Sequence, residues 1–412
     1  MALVDFPLTA DQFADAVQKG LGRAVMAIDG PVSDEYKKVI INACLFDVRY
    51  DNWSEHGRAP YMMRMADKAE LTDIVLSLLL EPFNDDIGNR AKRLRKYMLV
   101  EYSRRGEQRA FDALVPFALS NDEETWEAIA YVGAKGVEWL TINILPNLEF
   151  DERWRAKYWR DDCEGVLSVS IAEELDAFIS AHQEFQDLRP KYVPAKRPET
   201  LDEALEEVAT KRVVSSSIWY LAEKLTDDEV QRVANLWLNE KDLRRARSYA
   251  LLFQVRDFPF RLHIIADRVI AEDPPFDFES VLSYCEHPKV REFGLSLINK
   301  DMPDYRGYEC LKSSFLDEDI PFLIQSLDRF VGCNQQELHD LCTAIRDMCE
   351  TIPTAELRAP FLIWNYEHNP CSFCRNIAAE IMAEDGTLPH AYRQEMAFDA
   401  DSDTRKLVLE IS

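Results

Sequence analysis

Apolar residues recur along most of the chain at helical spacing, in stretches separated by short polar breaks. The segment 33–46 places its apolar residues on one helical face, at i, i+1, i+4 and i+5: Val39, Ile40, Ala43 and Cys44. Residues 69–81 are more continuously apolar, which is typical of an inner helix. Many stretches begin with Ser, Thr, Asp or Asn, which cap helix N-termini. The pattern predicts an all-α protein of about 20 helices with little or no β-structure.

Composition supports this fold class. The chain of 412 residues has only 13 Gly, whereas β-sandwiches and barrels use Gly for tight turns and doubly wound folds use it in phosphate loops. Hydrophobic residues make up 47% of the chain, which is enough for a large core. The length fits either two or three ordinary domains or one long repeat array.

One stretch interrupts the helical pattern. Residues 188–200, LRPKYVPAKRPET, contain three Pro and four basic residues. We interpret 189–199 as a linker or long loop between an N-terminal helical region with irregular repeats, residues 1–188, and a C-terminal region of more regular helical repeats, residues 200–412. In the C-terminal region the first helices are expected near 201–209, 213–224 and 226–239.

Three segments of the C-terminal region share a start pattern, in which a polar or Pro-containing turn leads to an apolar residue, an Arg and an apolar run. Their arginines are Arg291, Arg375 and Arg405. The first two arginines are 84 residues apart, which corresponds to two units of about 42 residues, whereas the last two are only 30 residues apart. The repeat is therefore degenerate.

This start resembles the second helix of HEAT repeats, mainly over 200–412 and weakly over 60–145. The resemblance implies an α-solenoid of stacked antiparallel helix pairs with a continuous core and an extended concave surface. Across that family such arrays act as scaffolds for protein partners. We therefore expect a non-catalytic helical-repeat scaffold that binds a protein partner through its concave face.

Charge and cysteine content narrow the choice of partner and compartment. With 74 acidic and 48 basic residues the formal net charge is −26, which disfavours nucleic acid and fits either a basic protein partner or simply solubility. The N-terminus lacks the pattern of a signal peptide, and no segment approaches 18 uncharged apolar residues. Together with an odd number of cysteines, nine, these features predict a cytoplasmic protein with no membrane span.

The segment 46–65, FDVRYDNWSEHGRAPYMMRM, is too polar for a core helix and too aromatic for a plain linker. In one interpretation it is an ordered loop whose carboxylates cap helices or pair with Arg while its aromatic rings pack on the core edge. In the other it is a site that grips an anion or performs acid–base chemistry. The candidate binding residues are Tyr50, Asp51, Trp53, Glu55, His56, Arg58 and Tyr61.

Residues 90–109 form a basic helix and its end, in contrast to the acidic chain as a whole. Its candidate contacts to an anion or nucleic acid are Arg90, Arg93, Arg95 and Lys96. The alternative function is thus a HEAT-like nucleic-acid-binding protein or DNA-repair-type enzyme, because helical-repeat glycosylases of alkylated DNA also use a basic concave face. In the simpler interpretation these cations pair with neighbouring acids.

Cys371 and Cys374 form a CxxC motif, which at a helix N-terminus can lower a thiol pKa or bind zinc. Zinc needs two more ligands, and His368, Cys342, Cys349 and His390 are the suppliers considered. In the repeat register Cys374 takes the place of Val290, which favours a packed side chain. No catalytic residue, metal or cofactor is predicted, and the chain has no GxxxxGK[ST], HExxH or GxSxG motif.

Overall fold

The computed structural model describes residues 6–50, 58–81, 88–120, 123–147, 155–162, 169–181, 197–256, 258–259 and 278–410. All regular elements in these ranges are helices, so the prediction of an all-α fold is confirmed for this part of the chain. Within the same ranges, no helix combines the length and apolar character needed to cross a bilayer.

Up to residue 181 the α-helices are α1 (Ala10–Lys19), α2 (Gly22–Met26), α3 (Asp34–Leu45), α4 (Arg58–Lys68), α5 (Thr72–Leu80), α6 (Asn89–Arg104), α7 (Gln108–Leu119), α8 (Glu123–Ala130), α9 (Ala134–Asn143), α10 (Arg155–Asp162) and α11 (Val169–Ala181). From residue 201 they are α12 (Leu201–Thr210), α13 (Asp227–Asn239), α14 (Leu243–Ala250), α15 (Phe278–Leu282), α16 (Pro288–Ile298), α17 (Arg306–Leu311), α18 (Ile320–Leu327), α19 (Gln335–Cys349), α20 (Ala355–His368), α21 (Ser372–Glu384), α22 (His390–Met396) and α23 (Ser402–Glu410). Short 3₁₀ helices lie at Leu145–Asn147, Trp219–Leu221, Leu251–Gln254, Asp317–Asp319 and Asp328–Phe330.

The chain divides into two compact units. The first unit comprises residues 2–193 together with 390–412, and the second unit comprises residues 194–389. The helices α22 and α23 therefore belong with the N-terminal helices and not with the segment that immediately precedes them. Most of the predicted linker, residues 189–196, lies outside the described part of the chain.

Local capping fixes several helix starts. The Thr9 side chain accepts from the Gln12 N–H while the Gln12 side chain accepts from the Thr9 N–H, which is a capping box at α1. Ser33 accepts from the Tyr36 N–H at the start of α3. Gly20 ends α1 with φ 80°, in the left-handed region that favours Gly.

The first unit is closed by a contact between its two chain segments. In it α2 packs against α22, and Arg23 of α2 forms a two-pronged ion pair with Glu395, with Nε–Oε2 at 2.7 Å and Nη2–Oε1 at 2.9 Å. Both side chains are buried. The helices approach so closely at Gly22 that a Cβ there would lie 1.7 Å from the Glu395 carbonyl oxygen, so only Gly fits.

In the second unit, helices close in sequence pack on one another. The contacts run from α16 to α17, from α17 to α19, from α19 to α20 and from α20 to α21. A core cluster at its N-terminal end surrounds Trp237, whose ring lies 6.3 Å from that of Phe253 and 5.5 Å from that of Phe258. Arg291 joins α16 to the turn before α18 through Asp319, with Nε–Oδ2 at 2.7 Å.

The helix expected over 213–224 is wrong. The chain is extended or bent from residue 211 to 216 and forms only the 3₁₀ turn at Trp219–Leu221. Three consecutive serines explain the failure. The Ser215 N–H donates to Ser248 Oγ at 2.9 Å, and the Ser217 N–H donates to Ser215 Oγ at 3.3 Å. These side chains replace the carbonyl acceptors of a helix, and the β-branched Val213 and Val214 further disfavour it.

Candidate functional site

Two described residues of the predicted polar cluster, Arg58 and Tyr61, are buried and bind backbone carbonyls where α1 meets α2. Arg58 is 2% exposed, and its guanidinium donates to the carbonyl oxygens of Val17 at 2.5 Å and Gln18 at 3.1 Å. The Tyr61 hydroxyl donates to the Leu21 carbonyl at 2.9 Å. The last carbonyls of a helix have no intrahelical donor, so Arg58 caps the end of α1. Tyr61 instead binds the N-cap residue of α2, so both side chains perform a structural task.

Of the other candidate residues of the cluster, only Tyr50 is described by the structure. Asp51, Trp53, Glu55 and His56 lie outside the described residues. The carbonyl of Tyr50 accepts from Arg90 Nη2 at 2.9 Å, which links the start of the cluster to the basic helix α6. The three described candidates, Tyr50, Arg58 and Tyr61, thus all take part in hydrogen bonds that involve backbone carbonyls. Ligand binding by the seven candidate residues stays a prediction.

The four candidate cations of α6 each have a partner within the first unit. Arg95, which is 8% exposed, donates to the Leu79 carbonyl at 2.7 Å and to that of Glu81, at the end of α5. Burial lowers the pKa of Arg95 from its ordinary value. Arg93 and Lys96 both pair with Glu124, at 3.0 Å and 3.4 Å. These contacts fit the simpler interpretation, in which the cations of α6 pair with neighbouring groups of the protein. A nucleic-acid contact by α6 stays a prediction.

A cavity of about 280 Å³ adjoins α4 and α6. Its charged lining residues are Arg49, Arg58, Arg93, Glu101 and Arg104. Arg49 pairs with Asp47 through two hydrogen bonds at 2.7 Å and 2.6 Å, and Arg104 pairs with Glu101 at 3.2 Å. Burial acts to raise the pKa of Asp47, but the hydrogen bonds and charge of Arg49 hold it below its ordinary value. Because the cations already face anions or carbonyls, the cavity is a weak candidate for binding an anion.

A different surface, in the second unit, has the features of a contact site. The segment after α12, which forms only a 3₁₀ turn, exposes four large apolar side chains, which we call the aromatic surface: Val213 (66% exposed), Val214 (43%), Trp219 (40%) and Tyr220 (45%). Ser215 and Ser217 between them are buried, with their hydroxyl oxygens 2.6 Å apart. The serine network therefore anchors the segment while the apolar side chains on both sides of it face solvent.

The two rings of the aromatic surface support each other. Their centroids are 5.2 Å apart with an interplanar angle of 76°, an edge-to-face pair. The guanidinium of Arg197 lies over the Tyr220 ring, 4.3 Å from its centroid. These contacts restrain both rings in the unbound protein, so a partner that covers them loses little side-chain entropy on binding.

The structure also places a histidine beside the CxxC motif. Cys371 is the residue before α21, Cys374 lies in its first turn, and His339 of α19 has Nε2 3.4 Å from Cys374 Sγ. The hydrogen bond to Cys371 raises the pKa of His339, and the same neighbour, followed by burial, raises that of Cys374 well above its ordinary value. The ligands proposed from the sequence did not include His339. The sequence feature that could have indicated His339 as a ligand is the HxxC spacing of His339 and Cys342, which is the same as the spacing in CxxC.

Comparisons with protein-family models, with curated proteins and with solved structures find no match to this chain. Function is therefore inferred from the chain's own residues.

Proposed function

We propose that this chain is a non-catalytic helical scaffold that binds a basic protein partner, and that the aromatic surface of the second unit is its principal contact. The single observation that carries the proposal is the exposure of Trp219 and Tyr220 beside Val213 and Val214 in one anchored segment. Trp and Tyr are enriched among the residues that dominate binding energy, and apolar neighbours exclude water around them.

The packing of the second unit supports the scaffold part of the proposal. From α16 to α21 each contact described above joins helices that are near neighbours in the chain, as in stacked helix pairs. In this proposal the predicted HEAT-like array binds its partner on one face and catalyses no reaction. The absence of a recognised catalytic motif in the sequence agrees with a binding role.

Charge supports a basic partner. The segment 197–229, which contains the aromatic surface, has nine acidic and four basic residues, and the whole chain has a net charge of −26. A basic surface on the partner would be attracted to this acidic chain during encounter. The reducing cytoplasm is the proposed compartment, since all eight described cysteines are thiols and not disulfides.

The test is affinity capture with the full chain and with the double variant Trp219→Ala/Tyr220→Ala. Loss of an interface residue of this kind typically costs at least about 2 kcal/mol, so we expect the partner's affinity to fall at least ~30-fold. The partner is identified by mass spectrometry as a protein that the wild type retains and the variant loses, and its affinity is then measured with purified components.

The matched control is Tyr284→Ala in the same unit. Tyr284 is 47% exposed and has Lys312 Nζ 5.5 Å from its ring centroid, so it reproduces the exposure and cation contact of Tyr220. Each single substitution of these exposed tyrosines should change the free energy of unfolding by less than about 0.5 kcal/mol. A captured protein that binds the wild type, the double variant and the control equally well would refute the aromatic surface as the contact.

A further inference from the structure

Three potential metal ligands meet between α19 and the start of α21. The ring nitrogen of His339 and the sulfur atoms of Cys371 and Cys374 all lie within 4.8 Å of one another. The residues come from two points of the chain, since His339 precedes the CxxC motif by a whole helix. One nitrogen and two sulfur ligands in a partly buried position make the cluster a candidate metal site.

We propose that His339, Cys371 and Cys374 bind one zinc(II) ion, and that the ion ties α19 to α21. In a tetrahedral zinc site Zn–S is about 2.3 Å and Zn–N about 2.0–2.1 Å, so a nitrogen and a sulfur ligand stand roughly 3.5 Å apart. The distance from His339 Nε2 to Cys374 Sγ is 3.4 Å. Thiolate sulfur together with imidazole nitrogen is a donor set that suits zinc and disfavours magnesium or calcium.

A buried amide network holds the Cys371 backbone in position. The Cys371 N–H donates to Asn369 Oδ1 at 3.0 Å, and Asn369 Nδ2 donates to Asn365 Oδ1 at 3.0 Å. Asn365 Nδ2 in turn donates to the Cys342 carbonyl of α19 at 2.6 Å. Asn365 and Asn369 are 1% and 0% exposed. The loop with the CxxC motif is therefore fastened to the helix that carries His339, and this preorganises the three ligands.

The surroundings of His339 and Cys371 also suit a metal. Asp340 Oδ1 lies 3.7 Å from His339 Nδ1, outside hydrogen-bond distance but close enough for its negative charge to act on a ring that donates to a cation. Cys371 precedes the 13-residue helix α21, whose N-terminal dipole favours a thiolate. Binding replaces the two thiol protons, which pass to solvent, with two Zn–S bonds, and the neutral imidazole adds its nitrogen lone pair.

The fourth position of a tetrahedral ion is left for water or for Cys342, which is buried one helical turn from His339 in α19. A cobalt(II) substitution experiment counts the thiolates. The intensity of the sulfur-to-cobalt charge-transfer band should correspond to two thiolates with water, or to three with Cys342. A band corresponding to one thiolate or none would overturn the ligand assignment.

The decisive experiment is zinc titration of the reduced, metal-stripped full chain against a chromophoric chelator. We expect one zinc per chain, with affinity falling at least ~100-fold in Cys371→Ser/Cys374→Ser and in His339→Ala. His339→Cys should restore binding, because a thiolate can replace the imidazole as a zinc ligand. Circular dichroism shows whether each variant keeps its helices.

The matched control is Cys333→Ser, a partly exposed cysteine of the same unit that is outside the cluster. It should bind zinc as the wild type does. The proposal is overturned when the wild type binds no zinc, when the double variant binds it equally well, or when the control loses it to the same extent. It does not depend on the aromatic surface, and the two proposals fail separately.

Discussion

The two units use their buried and half-buried charges differently. In the first unit the ion pair of Arg23 and Glu395 is almost fully buried and joins residues 372 positions apart in the chain. In the second unit the ion pair of Arg291 and Asp319 is 28 positions apart, and the Arg291 side chain is 24% exposed. The first unit thus depends on a long-range closure, whereas this contact of the second unit is local.

This difference has an energetic consequence. Breaking a buried pair leaves an isolated charge in a poorly solvated position, while the exposed side of a local pair can be rehydrated. The first unit should therefore respond more strongly to single substitutions at its closure than the second unit does at its ion pair. Three substitution experiments, given in order of expected effect, test this difference in stability between the two units.

The largest effect is expected for Glu395→Gln in the first unit. The substitution removes the anion and leaves the Arg23 charge buried without its carboxylate, which should lower the free energy of unfolding by about 3–5 kcal/mol. Urea denaturation followed by circular dichroism measures the change. The double variant Arg23→Met/Glu395→Leu should regain much of the loss, because two apolar side chains leave no buried charge. Equal instability of the single and double variants would show that packing, and not charge, dominates this contact.

A smaller effect is expected for Gly22→Ala at the same closure. The added Cβ would lie 1.7 Å from the Glu395 carbonyl oxygen, so α2 and α22 must separate, which should cost roughly 1–3 kcal/mol. Gly88→Ala is the matched control, since no described atom lies within 4 Å of the Cβ position there. Its expected cost is below about 1 kcal/mol, as for a change of residue at a helix N-cap. Similar unfolding midpoints for the two variants would contradict the close approach of α2 and α22.

The smallest effect concerns pH and the ion pair of the second unit. Burial acts to raise the pKa of Asp319, but hydrogen bonds from Arg291 and the Leu316 N–H, with the Arg291 charge, hold it below its ordinary value. Because the folded-state pKa is below the unfolded value of about 3.9, the stabilisation is present above that pH and is lost as pH falls through the folded pKa. Asp319→Asn should cost roughly 1–2 kcal/mol at neutral pH and less in acid.

The matched control for this experiment is Glu318→Gln. Glu318 also pairs with Arg291, at 2.8 Å, but its side chain is 71% exposed. This control should keep the acid dependence of the wild type in unfolding measurements across the range from pH 2 to pH 7, roughly the interval in which carboxylates titrate. A variant at Asp319 whose stability follows the same pH curve as the control would refute the assignment.

The sequence was sufficient for the fold class because helical periodicity and capping are local. Thr9, Ser33 and Asn334 cap helices where their side-chain chemistry predicts a start. The same reasoning failed at 213–224. There the outcome depends on Ser248, 33 residues away, which accepts from the Ser215 N–H and stabilises an extended segment. A local pattern contains no information about that acceptor.

Candidate sites were harder to predict than helices. The density of polar and aromatic side chains predicted a site at Arg58 and Tyr61, but the fold uses both to bind backbone carbonyls where α1 meets α2. His339 has no comparable cluster of polar and aromatic neighbours in the sequence, and its proximity to Cys371 depends on how α19 and α21 pack. Exposure and tertiary proximity, which separate a contact surface from a core, are properties of the folded chain alone.

The contact between Gly22, Arg23 and Glu395 also bears on synthesis. At roughly 5–20 residues per second, Glu395 is translated about 20–75 s after Arg23, since 372 positions separate them. During that interval α2 has no α22 to pack against, while the whole of the second unit is made. The nascent N-terminal helices therefore lack this part of their packing until the second unit has been made.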